Sequence, residues 1–279
     1  MSAIITSIYN CPVKSISFQN IDKCKINKNI GIEGDRVFAF SQNLDLDQSI
    51  EFEKNPEARK GKWNKIVTLK NTPVFNKYNF LYENNKLTLT IKDKEIITIN
   101  VNDSNERDNL VKKLIELEGS LKNDIRLMKN DEHPFYDTSI SNKSIFRNSI
   151  SLLNINSIKD FENKIDQKIE KSIFRGNLYF DGVEAWEERN WIGKTIKINN
   201  ILFKVEKNIP RCVAINLKPK TDDNSLNLLQ SLKKTYGHFD MGIYLTALND
   251  GNVNIGDTCL LYTSPSPRDI SGSRMPSSA

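Results

Sequence analysis

Apolar and polar residues alternate over short stretches along most of the chain, a pattern of period two that is typical of β-strands. The alternation over residues 86–101, interrupted by a turn at 92–94, predicts a β-hairpin. A second hairpin is predicted over residues 194–205, with a turn at 199–200 and either Leu202 or Phe203 on the inner face of the return strand. Further strands are predicted at residues 149–154, 241–246 and 252–255.

Apolar residues with helical spacing predict three helices between these strands. The first covers residues 105–118 and ends at Gly119. The second is capped by Ser157 and places Ile158, Phe161, Ile165 and Ile169 on one face, and the third covers residues 225–235 and ends at Gly237. Residues 41–64 are predicted to be a solvated excursion or a lid. Many short strands with few helices predict an α+β protein built on a β-barrel, divided near residues 119–135.

Composition and charge exclude several classes of protein. The 279 residues are 38% apolar and 27% charged, which is ordinary for a soluble domain. The net charge of +5 comes from dispersed residues, so no nucleic-acid-binding arm is predicted. A membrane span is not predicted, because no run of about 18 apolar residues occurs. The four cysteines show neither zinc nor disulfide spacing, which fits a reducing cytoplasm.

Composition changes sharply near residue 259. Residues 263–279 contain six serines and three prolines but no Asn, Lys or Leu, which are abundant elsewhere. The segment from Cys259 to Asp269 resembles a translated sequencing adapter, so residues 259–279 are predicted to be a non-native tail. A native disordered Ser/Pro tail is the alternative. A foreign tail would leave open whether a further C-terminal domain follows residue 258 in the natural protein.

Cys212 is the strongest candidate for chemistry in the sequence. It follows Arg211, and a neighbouring guanidinium favours the thiolate, the form that binds soft metals or attacks electrophiles. The alternative for any single cysteine is a small buried apolar residue. Lys14 and Ser15 are adjacent, so one turn offers an ammonium, a hydroxyl and a backbone amide together. Arg36 follows a Gly34-Asp35 turn and suits bidentate phosphate binding.

A series of short motifs follows in order along the second half of the chain. The motifs are Phe174-Arg175-Gly176-Asn177, Asp181-Gly182, Trp191, Arg211-Cys212, Gly251 and Ile255-Gly256-Asp257. This series resembles the MOSC domain, the C-terminal domain of molybdenum-cofactor sulfurases. Near the N-terminus, Pro12-Val13-Lys14-Ser15 and Gly31 to Arg36 resemble the β-barrel domain that precedes it. The resemblance extends over about residues 4–258 and is nearest to the stand-alone bacterial MOSC proteins.

The resemblance implies a fold and a domain division. Residues 126–258 would form a MOSC β-barrel, similar to that of pyruvate kinase, in a mainly β α+β protein. Residues 1–125 would form a smaller N-terminal β-barrel domain.

The resemblance also implies a molybdenum cofactor, a pterin dithiolene with an anionic phosphate. Cys212 would be both the catalytic residue and the metal ligand. Lys14, Ser15 and Arg36 match residues that contact the cofactor in the amidoxime-reducing branch of the family. Arg175 and Arg211 would bind cofactor groups, and Asn177 would either read the pterin edge or hold its own loop.

This chain also departs from that branch. Pro210 replaces a serine that helps to bind the cofactor. Asp137, Asn148 and Ser149 instead resemble the stand-alone branch and are expected to line the site.

Two functions from different classes remain open. One is a cytoplasmic oxidoreductase that reduces N-hydroxylated compounds with electrons from a separate flavin or iron–sulfur protein, because the chain has no iron–sulfur motif. The other is a carrier of sulfur or of the cofactor without turnover. Pyridoxal phosphate, sometimes attached to the family, has no distinctive lysine here. His133 and His238 have no partner at metal-ligand or triad spacing.

Overall fold

Seven strands close into a β-barrel in the computed structural model, which describes residues 3–121, 124–136 and 149–262. The strands of the chain are β1 (Ala3–Asn10), β2 (Gln19–Ile21), β3 (Lys23–Asn27), β4 (Gly31–Ile32), β5 (Phe38–Ser41), β6 (Tyr78–Glu83), β7 (Lys86–Ile91), β8 (Lys94–Asn100), β9 (Arg126–Lys129), β10 (Ile150–Asn154), β11 (Leu178–Asp181), β12 (Thr195–Ile198), β13 (Ile201–Pro210), β14 (Asp240–Ala247), β15 (Gly251–Asn254) and β16 (Thr258–Leu261).

The barrel runs β11-β10-β14-β13-β12-β16-β1 and closes because β1 also pairs with β11. All neighbours are antiparallel except β10 and β11. Alternate side chains fill the interior, so Ile196, Phe203 and Leu245 are fully buried. Phe203 rather than Leu202 therefore faces inward on the return strand of the second hairpin. The predicted mainly β α+β class is confirmed.

The N-terminal half contributes smaller sheets around a second core. Strands β6, β7 and β8 form one sheet, β5 pairs with β9, and β3 joins β4 to β15. The predicted hairpin at residues 86–101 is confirmed as β7 and β8, whose turn residues Lys92 and Asp93 are both left-handed. Strand β1 lies in the barrel with strands of the C-terminal half. The division at residue 125 stays a prediction.

Four α-helices pack on these sheets: α1 (Leu46–Lys54), α2 (Ser104–Leu117), α3 (Ile155–Ile165) and α4 (Leu228–Tyr236). The predicted end of α4 at Gly237 is confirmed, with a left-handed backbone at that glycine. No helix in the described ranges is both long and apolar enough to cross a membrane.

Three local predictions are wrong. Helix α3 is capped by Asn154, not Ser157, because the Asn154 side chain already accepts the amide of Asn156. Ile169 lies beyond that helix although it packs in the same core. Residues 41–64 are no simple excursion, since they contain α1, which is capped by Asp45 and buries Phe52.

The start of the predicted tail is also part of the fold. Residues 259–261 continue from Thr258 as β16, which pairs with both β1 and β12. The side chain of Cys259 is buried inside the barrel. The interpretation of residues 259–279 as a non-native tail stays a prediction. Residues 263–279 lie outside the described residues.

Candidate functional site

A buried carboxylate, Asp35, organises the segment that follows β4. Its Oδ1 atom accepts the backbone amide of Cys11 at 2.7 Å and the side-chain amide of Asn177 at 3.3 Å, and its Oδ2 atom is ion-paired with Arg36. Burial raises the pKa of Asp35, while the charge of Arg36 opposes that rise. Burial lowers the pKa of Arg36, but the carboxylate of Asp35 together with Cys11, Tyr136 and Tyr244 outweighs that effect, so the pKa is raised.

The side chain of Asn177 is fully used inside the protein. Its Oδ1 atom accepts the amide of Ser151 at 3.2 Å and the hydroxyl of Ser151 at 2.8 Å. Its Nδ2 atom donates to the carbonyl of Tyr9 and to Asp35, each at 3.3 Å. An amide has two donors and one oxygen, so these bonds leave little capacity for a ligand. The geometry favours the structural alternative for Asn177.

Arg175 lies beside this network, directly after the 3-10 turn Lys171–Phe174. Its Nη2 atom donates to the carbonyl of Ser17 at 2.7 Å, and its guanidinium lies 5.5 Å from the ring of Phe18. Phe18 in turn stacks on Tyr9, with ring centroids 4.1 Å apart. Burial lowers the pKa of Arg175. Within the described ranges, no carboxylate is ion-paired with Arg175.

The turn that holds Lys14 and Ser15 is tied to Arg175 through Ser17. The hydroxyl of Ser17 accepts the amide of Val13 at 2.7 Å and donates to the carbonyl of Val13 at 3.0 Å. Lys14 is buried, although lysine rarely is. Because the carbonyl of Ser17 also accepts Arg175, the structure brings Lys14, Ser15 and Arg175 into one region.

Three of the predicted site residues have a left-handed backbone. The φ angles are 64° at Ser15, 55° at Arg36 and 50° at Arg175. Residues other than glycine seldom adopt this conformation, which costs on the order of 1 kcal/mol at each position. Such strain persists where surrounding contacts hold the backbone, and it concentrates at functional sites.

Arg211 and Cys212 follow the end of β13. The guanidinium of Arg211 donates to two backbone carbonyls, that of Met241 at 2.9 Å from Nε and that of Phe174 at 2.7 Å from Nη1. Burial lowers the pKa of Arg211, and no carboxylate in the described part of the chain is ion-paired with it. Cys212 is exposed and begins the 3-10 turn Val213–Asn216, with its carbonyl accepting Ile215 at 3.2 Å. Phe174 directly precedes Arg175, and Cys212 directly follows Arg211. The hydrogen bond from Arg211 to Phe174 therefore joins the segment that carries the thiol to the segment that carries Arg175.

The structure adds residues that the sequence did not single out. The hydroxyl of Tyr244 in β14 interacts electrostatically with both Arg36 and Arg211. The ring of Tyr136 lies 5.8 Å from the Arg36 guanidinium. Cys11 is buried beside Asp35, and burial raises the pKa of its thiol to about 11. In the sequence, Asp35 is marked only as part of a turn, and Tyr244 only as one residue of an apolar strand.

The remaining candidates are placed as follows. Ser149 is buried at the start of β10, two residues before the serine that binds Asn177. Asp137 and Asn148 lie outside the described residues. His238 accepts the amide of Asp240 at 3.2 Å, and burial lowers its pKa. In the described ranges, no group of three or more His, Cys, Asp or Glu residues is arranged to hold a metal ion.

Comparison with known proteins identifies the C-terminal half. Residues 136–259 match the sequence model of the MOSC domain family. The molybdenum cofactor sulfurase of Bombyx mori is 33% identical over 91 residues, which are 32% of this chain and 11% of that protein. The chain therefore spans about a tenth of the length of that relative.

Two solved structures share weak overall likeness. The YuaD protein from Bacillus subtilis aligns with a TM-score of 0.42 and 12% identity over 94% of this chain and 98% of its own. YiiM from Geobacillus stearothermophilus aligns with a TM-score of 0.34 and 17% identity over 41% of this chain and 54% of its own.

Proposed function

We propose that this chain, whose residues 136–259 belong to the MOSC domain family, binds a molybdenum cofactor and uses it to reduce N-hydroxylated compounds. The observation that carries the proposal is an excess of positive charge on half-buried side chains. Arg36, Arg175 and Arg211 lie on segments joined by hydrogen bonds, and among the described residues Asp35 is the one carboxylate ion-paired with any of the three. The network ends at the exposed thiol of Cys212.

The chemistry of these side chains fits the cofactor. Arginines that are partly withdrawn from water and have no carboxylate partner are costly unless an anion compensates them, and the cofactor carries an anionic phosphate. A thiolate is a soft ligand, which suits molybdenum better than a carboxylate does. The donor set therefore matches an anion with a metal at one end.

Each residue has a defined task in this proposal. Cys212 supplies the thiolate ligand. The Lys14-Ser15 turn and Arg36 hold the phosphate by charge and hydrogen bonds, and Arg175 binds a second polar group of the cofactor. When bound, the cofactor supplies a metal that exchanges two electrons and accepts an oxygen atom. Ser149, and Asn148 beyond the described residues, are proposed to line the same site.

The electrons are proposed to come from a separate flavin or iron–sulfur protein. The chain has four cysteines, of which Cys11, Cys24 and Cys259 are buried and distant in sequence from Cys212. That set does not supply the clustered thiolates of an iron–sulfur centre.

A second candidate is a carrier of sulfur or of the finished cofactor. Its specific support is the exposure of Cys212, because a persulfide carrier needs an accessible thiol. The matching relative is itself named a molybdenum cofactor sulfurase. In this alternative Cys212 holds its cargo without repeated turnover.

The test is the molybdenum and pterin content of protein purified from a host that makes the cofactor, beside Cys212→Ala and Cys24→Ala. Cys24 lies in the barrel core, so its replacement controls for loss of a thiol elsewhere. We expect near-stoichiometric molybdenum in the parent chain and in Cys24→Ala, and its loss in Cys212→Ala. Multiple turnovers with an artificial electron donor then separate the reductase from the carrier. Equal metal in all three proteins would contradict the proposed ligand.

A further inference from the structure

The segment after Cys212 bridges two cores. We name residues 213–226 the Cys212 strap. Ile215 packs in the core formed with α3 and α4, whereas Leu217 packs in the core of the N-terminal sheets, and both are buried. The position of Cys212 therefore depends on both halves of the molecule.

One side chain of the N-terminal half binds the strap directly. The Nδ2 atom of Asn76, in the 3-10 turn Pro73–Lys77, donates to the carbonyl of Lys218 at 2.9 Å and to that of Thr221 at 2.7 Å. Both protons of the amide are thus directed to the strap. Two surface ion pairs also reach it, Lys220 with Asp93 at 2.7 Å and Lys77 with Asp222 at 3.5 Å. Exposed ion pairs contribute little, so the amide is the main polar anchor.

Backbone hydrogen bonds within the strap connect the residues that bind Asn76 to the turn at Cys212. Lys218 donates its amide to the carbonyl of Asp223 at 2.7 Å, which closes the outer loop of the strap. Leu226 donates to the carbonyl of Asn216 at 3.1 Å. Asn216 is the last residue of the 3-10 turn that Cys212 begins. The outer loop, its base and the turn at the thiol therefore form one connected unit.

The strap also forms a wall of a cleft of about 250 Å³. Ala214, Leu217 and Lys220 line that wall, and Arg175 and Asn76 line other parts of the cleft. Asn76 and an arginine of the candidate site thus border the same space. Movement of the strap would change the geometry between Cys212 and Arg175.

We propose that Asn76 is a positioning residue for Cys212, acting through its two hydrogen bonds to the strap. The proposal rests on the proposed function only for the role that Cys212 performs. It states that loss of the Asn76 amide, 136 positions away in sequence, changes the reactivity of the Cys212 thiol.

The experiment compares Asn76→Asp with Asn76→Gln and the control Asn71→Asp. Aspartate keeps the shape of asparagine but cannot donate, and glutamine keeps the donor. Asn71 is also bonded to backbone atoms of the N-terminal half, at Ile66 and Thr68, but makes no bond to the strap. Asn76→Ser, which keeps one donor, replaces the aspartate variant if that variant does not fold.

Two readouts are taken on the protein without added cofactor: hydrogen exchange of the strap amides and the rate of alkylation by iodoacetamide. Cys212 is the exposed thiol, and the other three cysteines are buried. In Asn76→Asp we expect strap amides to exchange about tenfold faster, since two hydrogen bonds are lost. We expect the alkylation rate of Cys212 to change at least about threefold, because a displaced strap alters the position of the thiol relative to the Arg211 guanidinium, with recovery in Asn76→Gln and no change in Asn71→Asp.

Faster strap exchange with unchanged alkylation would overturn the proposal, because Asn76 would then support the strap alone. The same change in Asn71→Asp would also overturn it, since the effect would be general loosening. Neither readout requires molybdenum. A chain that never binds the metal would contradict the proposed function and leave this test intact.

Discussion

The Asp35 network and the Glu188 network use the same kinds of side chain, yet of these two acids only Asp35 is ion-paired with an arginine among the described residues. Glu188 is fully buried in the 3-10 turn Glu187–Trp191. It accepts the side-chain amide of Asn154 at 3.0 Å and the hydroxyl of Ser157 at 2.8 Å. Burial raises the pKa of Glu188, and its bonded side-chain partners are neutral.

Asp35 has matching neutral partners, since Asn177 binds it and Ser151 binds Asn177. It differs in its ion pair with Arg36 and in the nearby charge of Arg175. A buried acid with neutral partners can hold two segments together and nothing more. Cations in excess of the acids that pair with them indicate a place for an anionic ligand.

The two networks should differ most clearly in the unfolding free energy that is lost when each carboxylate is removed. Asp35→Ala leaves the half-buried Arg36 without its counter-ion and removes the acceptor of the Cys11 amide, which together we expect to cost about 3–5 kcal/mol of unfolding free energy. Glu188→Ala leaves neutral donors unbonded, which we expect to cost about 1–3 kcal/mol. Urea denaturation of both variants gives the comparison. A larger loss of unfolding free energy in Glu188→Ala than in Asp35→Ala would contradict the expected contribution of the ion pair between Asp35 and Arg36.

The pH dependence of Glu188→Gln gives a smaller and sharper test. Burial holds the folded pKa of Glu188 above its ordinary value of 4.5. The stabilising contribution is therefore present below that ordinary value and is lost as pH rises through the folded pKa. We expect the stability of the parent chain relative to Glu188→Gln to fall as pH rises above the ordinary value of 4.5 and through the folded pKa. Urea unfolding at several pH values measures this difference, and a constant difference would contradict it.

Local patterns were enough to predict much of the barrel and to single out candidate site residues. Alternation placed Ile196 and Val205 inside, and short motifs found Arg211-Cys212 and Lys14-Ser15, because each depends on neighbours in sequence. The cap of α3 was missed because two polar residues near its start competed for the role. The Asn154 side chain accepts a hydrogen bond from the amide of Asn156 in the first turn. The buried Ser157 instead donates its hydroxyl to Glu188.

Long-range pairings could not be predicted in this way. Asn177 meets Asp35 across 142 positions, and Asn76 meets Thr221 across 145. Tyr244 lies near two arginines only because β14 crosses the barrel between β10 and β13. These contacts depend on barrel closure and on the packing of two cores, which no local pattern encodes.

The most direct test of the arginine site is the molybdenum content of Arg175→Gln beside the control Arg126→Gln. Both substitutions remove one guanidinium charge, but Arg126 is ion-paired with Glu53 at 2.6 Å outside the Cys212 network. Proteins purified from a cofactor-competent host should show molybdenum lost in Arg175→Gln and retained in Arg126→Gln. Equal molybdenum in the two folded variants would contradict the claim that the unpaired arginines hold the cofactor.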